Sequence, residues 1–312
     1  MDNKRPLIAH LCLFCSGAFW GLMAPIGKDA MLHGIDGIDL VSFRVLGGAI
    51  LFWLTSLFTK KEHVPARDIF AFAAAGIFAL VFNQCSYTIG LNMTSPSNSS
   101  IMTTSMPIFA MVLSFLILKE PITWKKALGV LMGCAGAVII ILTSATSGNA
   151  KVGNIWGDLL CMSAQLSFAL YLSLFKNLLS KYSLFTINKW MFLWATILIW
   201  PFTFHHVMSI DFANVPMSTW WESGYVILFG TYLGYICMMI GQKTLRPTVV
   251  SVYNYVQPIV SVTVSVLAGL AVFKGMQAIA AVLVFAGVWL VIKSKSKHDI
   301  EKHEHSLAVE NR

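Results

Sequence analysis

An all-α membrane protein of ten crossing helices, built as two inverted five-helix repeats, is the fold this sequence predicts. Three observations predict it. Of 312 residues, 57% are hydrophobic and only 12% are charged, with a mean hydropathy of +0.72; the charged share is about half that of an ordinary soluble domain. Apolar runs of about 20 residues, each enough for one bilayer crossing, recur along the chain. Helix landmarks of the first half also return in the second at a constant spacing of 151 residues. This composition excludes a soluble globular enzyme, a disordered chain and a disulfide-stapled secreted domain.

The apolar runs lie near residues 7–27, 40–58, 69–90, 98–118, 125–143, 156–175, 185–206, 221–241, 248–270 and 275–292. The first follows Lys4 and Arg5, lacks a small-residue cleavage site and carries Trp20 and Pro25, so it reads as a retained span rather than a signal peptide. The second contains Arg44 close to its outer end, where snorkelling to the surface is expected. The third holds Asn83, Gln84 and Tyr87; the fourth opens at Asn98, a natural helix cap, and contains Thr103 and Pro107. A polar, glycine-containing linker over 144–155 separates a first unit, 1–143, from a second, 156–293. Within the second unit the sixth span carries Gln165 and Tyr171, the eighth Tyr235, and the ninth Asn254, Gln257 and Pro258. The charged tail 294–312 is expected to be unstructured and cytoplasmic.

The net charge of +8 and pI near 9.2 would suggest nucleic acid in a soluble protein. Here the basic residues sit between apolar runs and report topology instead, so nucleic acid is not an expected partner. Of the 22 lysines and arginines, only Lys28, Lys151 and Lys274 fall on one side, and Arg44 lies within a span. The rest share the other side with both termini, which places the termini in the cytoplasm of a multi-pass cell (inner) membrane protein.

The repeat pairs Gly90 with Gly241, Pro96 with Pro247, Pro107 with Pro258, Ile108 with Ile259, Ser114 with Ser265 and Gly136 with Gly287. Five spans per unit is an odd number, so the second unit enters the membrane upside down relative to the first. Inverted repeats allow one packing two opposite conformations, and they place substrate near the midplane between the units.

Candidate site residues follow from what is costly in lipid. Pro107 and Pro258 remove a donor and crowd an earlier carbonyl, which predicts a symmetric pair of helix kinks beside a central cavity. Asn83, Gln84, Gln165, Asn254 and Gln257 must face the bundle interior, as substrate ligands or as ties between helices. Trp20 and its counterpart Tyr171 need a polar partner when buried and could wall the same site. The glycine pairs Gly17/Gly21, Gly129/Gly133 and Gly230/Gly234 favour close packing within the chain, with a homodimer face as the alternative. No Asp, Glu, His, Lys or Arg is expected at mid-depth, which favours a substrate of small or balanced charge. Cys12 and Cys15 read as helix packing, and no metal or cofactor is expected. No phosphate-binding Walker motif occurs, and Ser173 with Lys176 is the sole hint of an intramembrane nucleophile. The histidines of the tail raise the rival reading of a membrane sensor.

Trp20-Gly21, Phe43-Arg44, the run Ser105-Met106-Pro107-Ile108-Phe109 and the run Leu118-Lys119-Glu120-Pro121-Ile122-Thr123, followed by Gly129 and Gly136, resemble the EamA-type permeases of the drug/metabolite transporter superfamily. The resemblance covers nearly the whole chain. It implies ten helices in two inverted repeats around a cavity walled by helices one, three, four, six, eight and nine. On this chain those walls hold Trp20, Asn83, Tyr87, Thr103, Gln165, Tyr171, Tyr235, Asn254 and Gln257. The implied function is non-enzymatic: export or exchange of small neutral or zwitterionic, amino-acid-like metabolites by alternating access. Drugs, nucleobases or sugars are the alternative cargo.

Overall fold

The computed structural model describes residues 4–93, 102–145, 155–267 and 275–295. Asn98, most of the linker 144–155 and nearly all of the tail 294–312 lie outside the described residues. Helix is the only regular structure among those described. That follows from an apolar chain whose backbone groups must be satisfied without water.

Helix α1 is Lys4–Leu32 and α2 is Gly37–Leu57. Helix α3 starts as Ala66–Gly76, widens to a π-helix over Ile77–Phe82 and resumes as Asn83–Met93. Helices α4, α5 and α6 are Met106–Leu118, Trp124–Ala145 and Ile155–Leu174. A short helix, Lys176–Lys181, leads to α7, Leu184–Met208. Helix α8 repeats the pattern of α3, with Met217–Tyr225, a π-helix over Val226–Leu233, then Gly234–Thr244. Helix α9 is Pro247–Val252, a 3-10 turn Tyr253–Tyr255 and Val256–Leu267; α10 is Gly275–Ile292. Among the described residues, six stretches are long and apolar enough to cross a membrane: Pro6–Met31, Gly37–Leu57, Ala66–Leu91, Ile155–Leu174, Leu184–Met208 and Met217–Thr244. Met106–Leu118 and Ala278–Ile292 are apolar but shorter.

The helix contacts obey a simple exchange rule. Helix α5 packs on α10, and α2 on α7. Helix α1 lies against α8 and α9, as α6 lies against α3 and α4, and α2 meets α8 as α7 meets α3. Replacing each helix by the one five places away maps this set of contacts onto itself.

Glycines permit the closest of these approaches. A methyl carbon added to Gly129 would lie 2.6 Å from Gly287 O, and one on Gly136 would lie 2.6 Å from Ala280 O. Shifted by 151 residues, the first contact becomes the second. Gly17 and Gly21 likewise bring α1 onto the backbone of α9 at Tyr253 and Gln257. Gly230 and Gly234 face Met23 and Trp20, so all three glycine pairs are engaged within the chain.

Polar ties fix the helix ends. Asp36 and Asp39 form a reciprocal capping box at the start of α2, and His206 of α7 reaches Asp36 at 2.9 Å. At the opposite end Glu62 accepts from Ser183 N at 3.1 and 2.9 Å, joining the α2–α3 loop to the cap of α7. Tyr182 OH donates to Asp68 at 2.5 Å, and that hydrogen bond pushes the phenol up to about 12. Lys119 takes a left-handed conformation, φ 55°, after α4, with Glu120 N donating back to Ser114 O. This turn aims Glu120 between Lys126 at 3.4 Å and Lys176 at 3.3 Å, with the Lys126 side chain only 1% exposed.

Two stability predictions follow from these contacts. Gly287→Ala drives a methyl into the backbone of α5 and costs about 1–3 kcal/mol, read as a lowered melting temperature in detergent. Gly224→Ala, where nothing lies within 4 Å, leaves that temperature unchanged. Glu120→Ala strands a buried ammonium and costs about 3–5 kcal/mol, and adding Lys126→Met recovers much of the loss in the same melting assay.

Candidate functional site

A cavity of about 140 Å³ opens between α1, α2, α3, α6, α8, α9 and the turn ahead of α4. A buried water needs about 10–15 Å³ on this measure, so the space takes about ten waters. Helix α1 contributes Trp20, Met23, Gly27 and Met31; α2 contributes Gly37, Leu40, Val41 and Arg44. Helix α3 supplies Asn83, Gln84, Tyr87, Thr88 and Leu91, and Thr103 precedes α4. Helix α6 adds Gln165 and Phe168, α8 Val226 and Tyr235, and α9 Asn254 and Gln257. A separate pocket of about 10 Å³, room for one water at most, lies among Leu13, Met106, Met238 and Val250 and shares Trp20, Phe168 and Asn254 with the cavity wall.

The broken helices build this wall. A π-helical turn leaves carbonyls without their usual partner, and here side chains supply the donors. Ser167 Oγ donates to Phe78 O at 2.7 Å and Tyr235 OH to Ala79 O at 3.4 Å, both in the π stretch of α3. In α8, Trp20 Nε1 donates to Gly230 O at 2.8 Å and Thr231 Oγ1 to Val226 O at 2.9 Å. The donors of Phe78 O and Gly230 O come from α6 and α1, the helices that contact α3 and α8. The Trp20 ring stands edge-on to Phe168 and Tyr235, at 6.4 and 6.0 Å.

The amides are held as well. Asn83 Nδ2 donates to Ala164 O at 2.9 Å. Gln257 Nε2 donates to Asn254 Oδ1 at 3.2 Å, and Asn254 Nδ2 donates to Met106 Sδ. Gln84 Nε2 donates to Tyr235 OH at 3.3 Å across the cavity, between positions 151 residues apart.

Trp20, Asn83, Tyr87, Thr103, Gln165, Tyr235, Asn254 and Gln257, chosen from sequence, therefore border one space. Tyr171 does not border it. That ring is fully buried beside Phe168, and its hydroxyl donates to Gln242 Oε1 at 3.2 Å, so a core partner satisfies it. Each proline lies in the first turn of an α-helical segment. Pro107 lies in the first turn of α4, after the turn at Thr104–Ser105, and Pro258 follows the 3-10 turn of α9. A missing N–H costs least in a first turn.

Arg44 was expected to snorkel. It is buried instead, 8% exposed, and lines the cavity with its Nε donating to Thr231 Oγ1 at 3.0 Å. Helix α2 starts at Gly37, three residues earlier than the apolar run suggested, so Arg44 lies roughly 10 Å along it at 1.5 Å per residue. Helix α2 was not expected in the wall. The signal in the sequence was the charge itself: an arginine inside a span needs a reason. Lys176 is taken up by Glu120, so the spacing from Ser173 brings no free amine to that hydroxyl.

The EamA-like transporter family model matches residues 7–142 and again residues 155–293. The chain is 23% identical over 299 residues to the "Uncharacterized transporter YetK" of Bacillus subtilis (strain 168), covering 95% of this chain and 90% of that one. It is 25% identical over 281 residues to an uncharacterized transporter of Archaeoglobus fulgidus, covering 89% of this chain and 96% of the other. The "S-adenosylmethionine/S-adenosylhomocysteine transporter" of Chlamydia trachomatis serovar L2 is 23% identical over 146 residues, 47% of this chain and 45% of its own. A solved crystal structure with 17% identity superposes with a TM-score of 0.76, covering 93% of this chain and 96% of its own, a likeness of fold.

Proposed function

We propose that this chain, which belongs to the EamA-like transporter family, carries a small amino-acid-like metabolite across the cell (inner) membrane by alternating access. Ten segments cross the membrane as two inverted five-helix units, with both termini in the cytoplasm. The exchange rule among helix contacts supports this arrangement, as do the matched glycine seams and the two successive family matches. The basic residues set the orientation, which puts Met31, Gly37 and Leu91 at the outer end of the cavity. In that orientation Leu13, Met106, Met238 and Val250, around the separate small pocket, lie on the cytoplasmic side of the cavity.

One observation carries the reading. A single cavity is walled by side chains from both units, with amides and aromatic faces in place of a reactive group. Amides and indole or phenol rings suit a small solute that is part apolar and part hydrogen-bonding. A relative named for carrying S-adenosylmethionine, itself bearing an amino-acid end, agrees with such a cargo. Transport here means exchange between two states of the same helices.

Counterflow in proteoliposomes tests the reading, with a labelled panel of amino acids, nucleobases, sugars and polyamines. The expected result is accumulation of amino-acid-like compounds. Asn254→Ala removes a wall amide and lowers that accumulation about tenfold, the effect of losing one or two net hydrogen bonds to the solute. Accumulation unchanged in Asn254→Ala removes this residue from the site. Absence of counterflow from folded protein, across the whole panel, overturns the carrier.

A further inference from the structure

We infer that the group the substrate must carry is a carboxylate, and that Arg44 is the residue that binds it. This inference rests on the carrier reading above and sharpens it.

Arg44 is a permanent cation, because a guanidinium does not lose its proton in a protein. It is buried, borders the cavity, and has no acidic partner: among the described residues no Asp or Glu lines the space, and no ion pair involves Arg44. A cation withdrawn from water is costly unless a counter-charge arrives. The nearby acids of its own helix end, Asp36 and Asp39, are engaged in the capping box and with His206. The missing charge is therefore one that enters and leaves with the cargo.

The geometry selects the kind of anion. Thr231 holds Nε and is itself anchored on Val226 O, which fixes the plane of the guanidinium. The two terminal nitrogens make no hydrogen bond among the described residues. Two parallel N–H donors match the two oxygens of a carboxylate. One positive charge balances one negative charge, whereas a phosphate monoester brings close to two. With no acid in the wall, an ammonium on the substrate is tolerated by aromatic faces and amide oxygens but is not required. Neutral nucleobases and sugars leave the guanidinium unpaired, so this reading removes them from the candidate cargo.

The test uses leucine and phenylalanine, their primary amides, the matching acids 4-methylpentanoate and 3-phenylpropanoate, and glucose 6-phosphate. Counterflow and thermal-shift titration are measured on wild type, Arg44→Gln and Arg44→Lys, each first shown to be monodisperse by gel filtration. Acids with or without the amine should exchange and raise the melting temperature, and the amides and the sugar phosphate should not. Arg44→Gln should weaken both responses about tenfold to a hundredfold, and Arg44→Lys, which keeps charge but not the fork, should fall between. The comparison of acid with amide needs no variant, so it stands even if Arg44→Gln fails to fold. Counterflow of amides as fast as acids, or preference for the sugar phosphate, overturns the carboxylate and keeps the carrier. An Arg44-dependent thermal shift without any counterflow keeps the site and overturns the carrier. Neither response overturns both.

Discussion

A backbone amide or carbonyl that cannot reach water must find its partner inside the protein, and every feature of this fold answers to that constraint. It leaves helix as the only regular structure among the described residues. It also limits where a helix can break. The π stretches of α3 and α8 survive because Ser167, Tyr235, Trp20 and Thr231 donate to Phe78, Ala79, Gly230 and Val226. The 3-10 turn of α9 and the turn before α4 fall where prolines open the next segment. Three of the four donors at the π stretches come from other helices. Trp20 and Tyr235 serve both as cavity wall and as helix repair.

The two units share this plan but differ in residues. Position 20 is a tryptophan that borders the cavity, and its counterpart at 171 is a tyrosine locked onto Gln242. Gln84 and Tyr235 are counterparts that bond to each other, so they meet where the proposed two-fold axis would run. Arg44 is matched by Ala195 and so introduces charge on one side of the cavity only. The Glu120 cluster has Ala271 as its sequence counterpart. A cavity of this kind is symmetric in its scaffold and polar in its contents, which is what a site for an asymmetric solute requires.

Much of this was legible from residue types. Amides and aromatics with polar tips are costly in lipid, so most of those singled out converge on one space. Family membership was legible from the run around Pro107 and from the repeat. Three features were hidden, for physical reasons. Apolar run length reports a crossing but not which face turns inward, so α2 and Arg44 were assigned to the periphery. Tyr171 looked like Trp20 because its satisfying partner, Gln242, is 71 residues away. The π stretch Ile77–Phe82 has no local signature, since its residues are all apolar and its donors, Ser167 and Tyr235, come from other helices.

Arg44 and the glycine seam also bear on how the protein is made. Thr231 anchors Arg44, and Gly287 fills the groove at Gly129. Both partners belong to the second half of the chain. At about 5–20 residues per second, the ribosome delivers that half on the order of ten seconds after the first. For that interval the nascent first half presents an unanchored guanidinium and an open seam to lipid or to the insertion machinery. The order of the two halves in the gene thus decides which of them waits, and the half that waits here is the one bearing the buried charge.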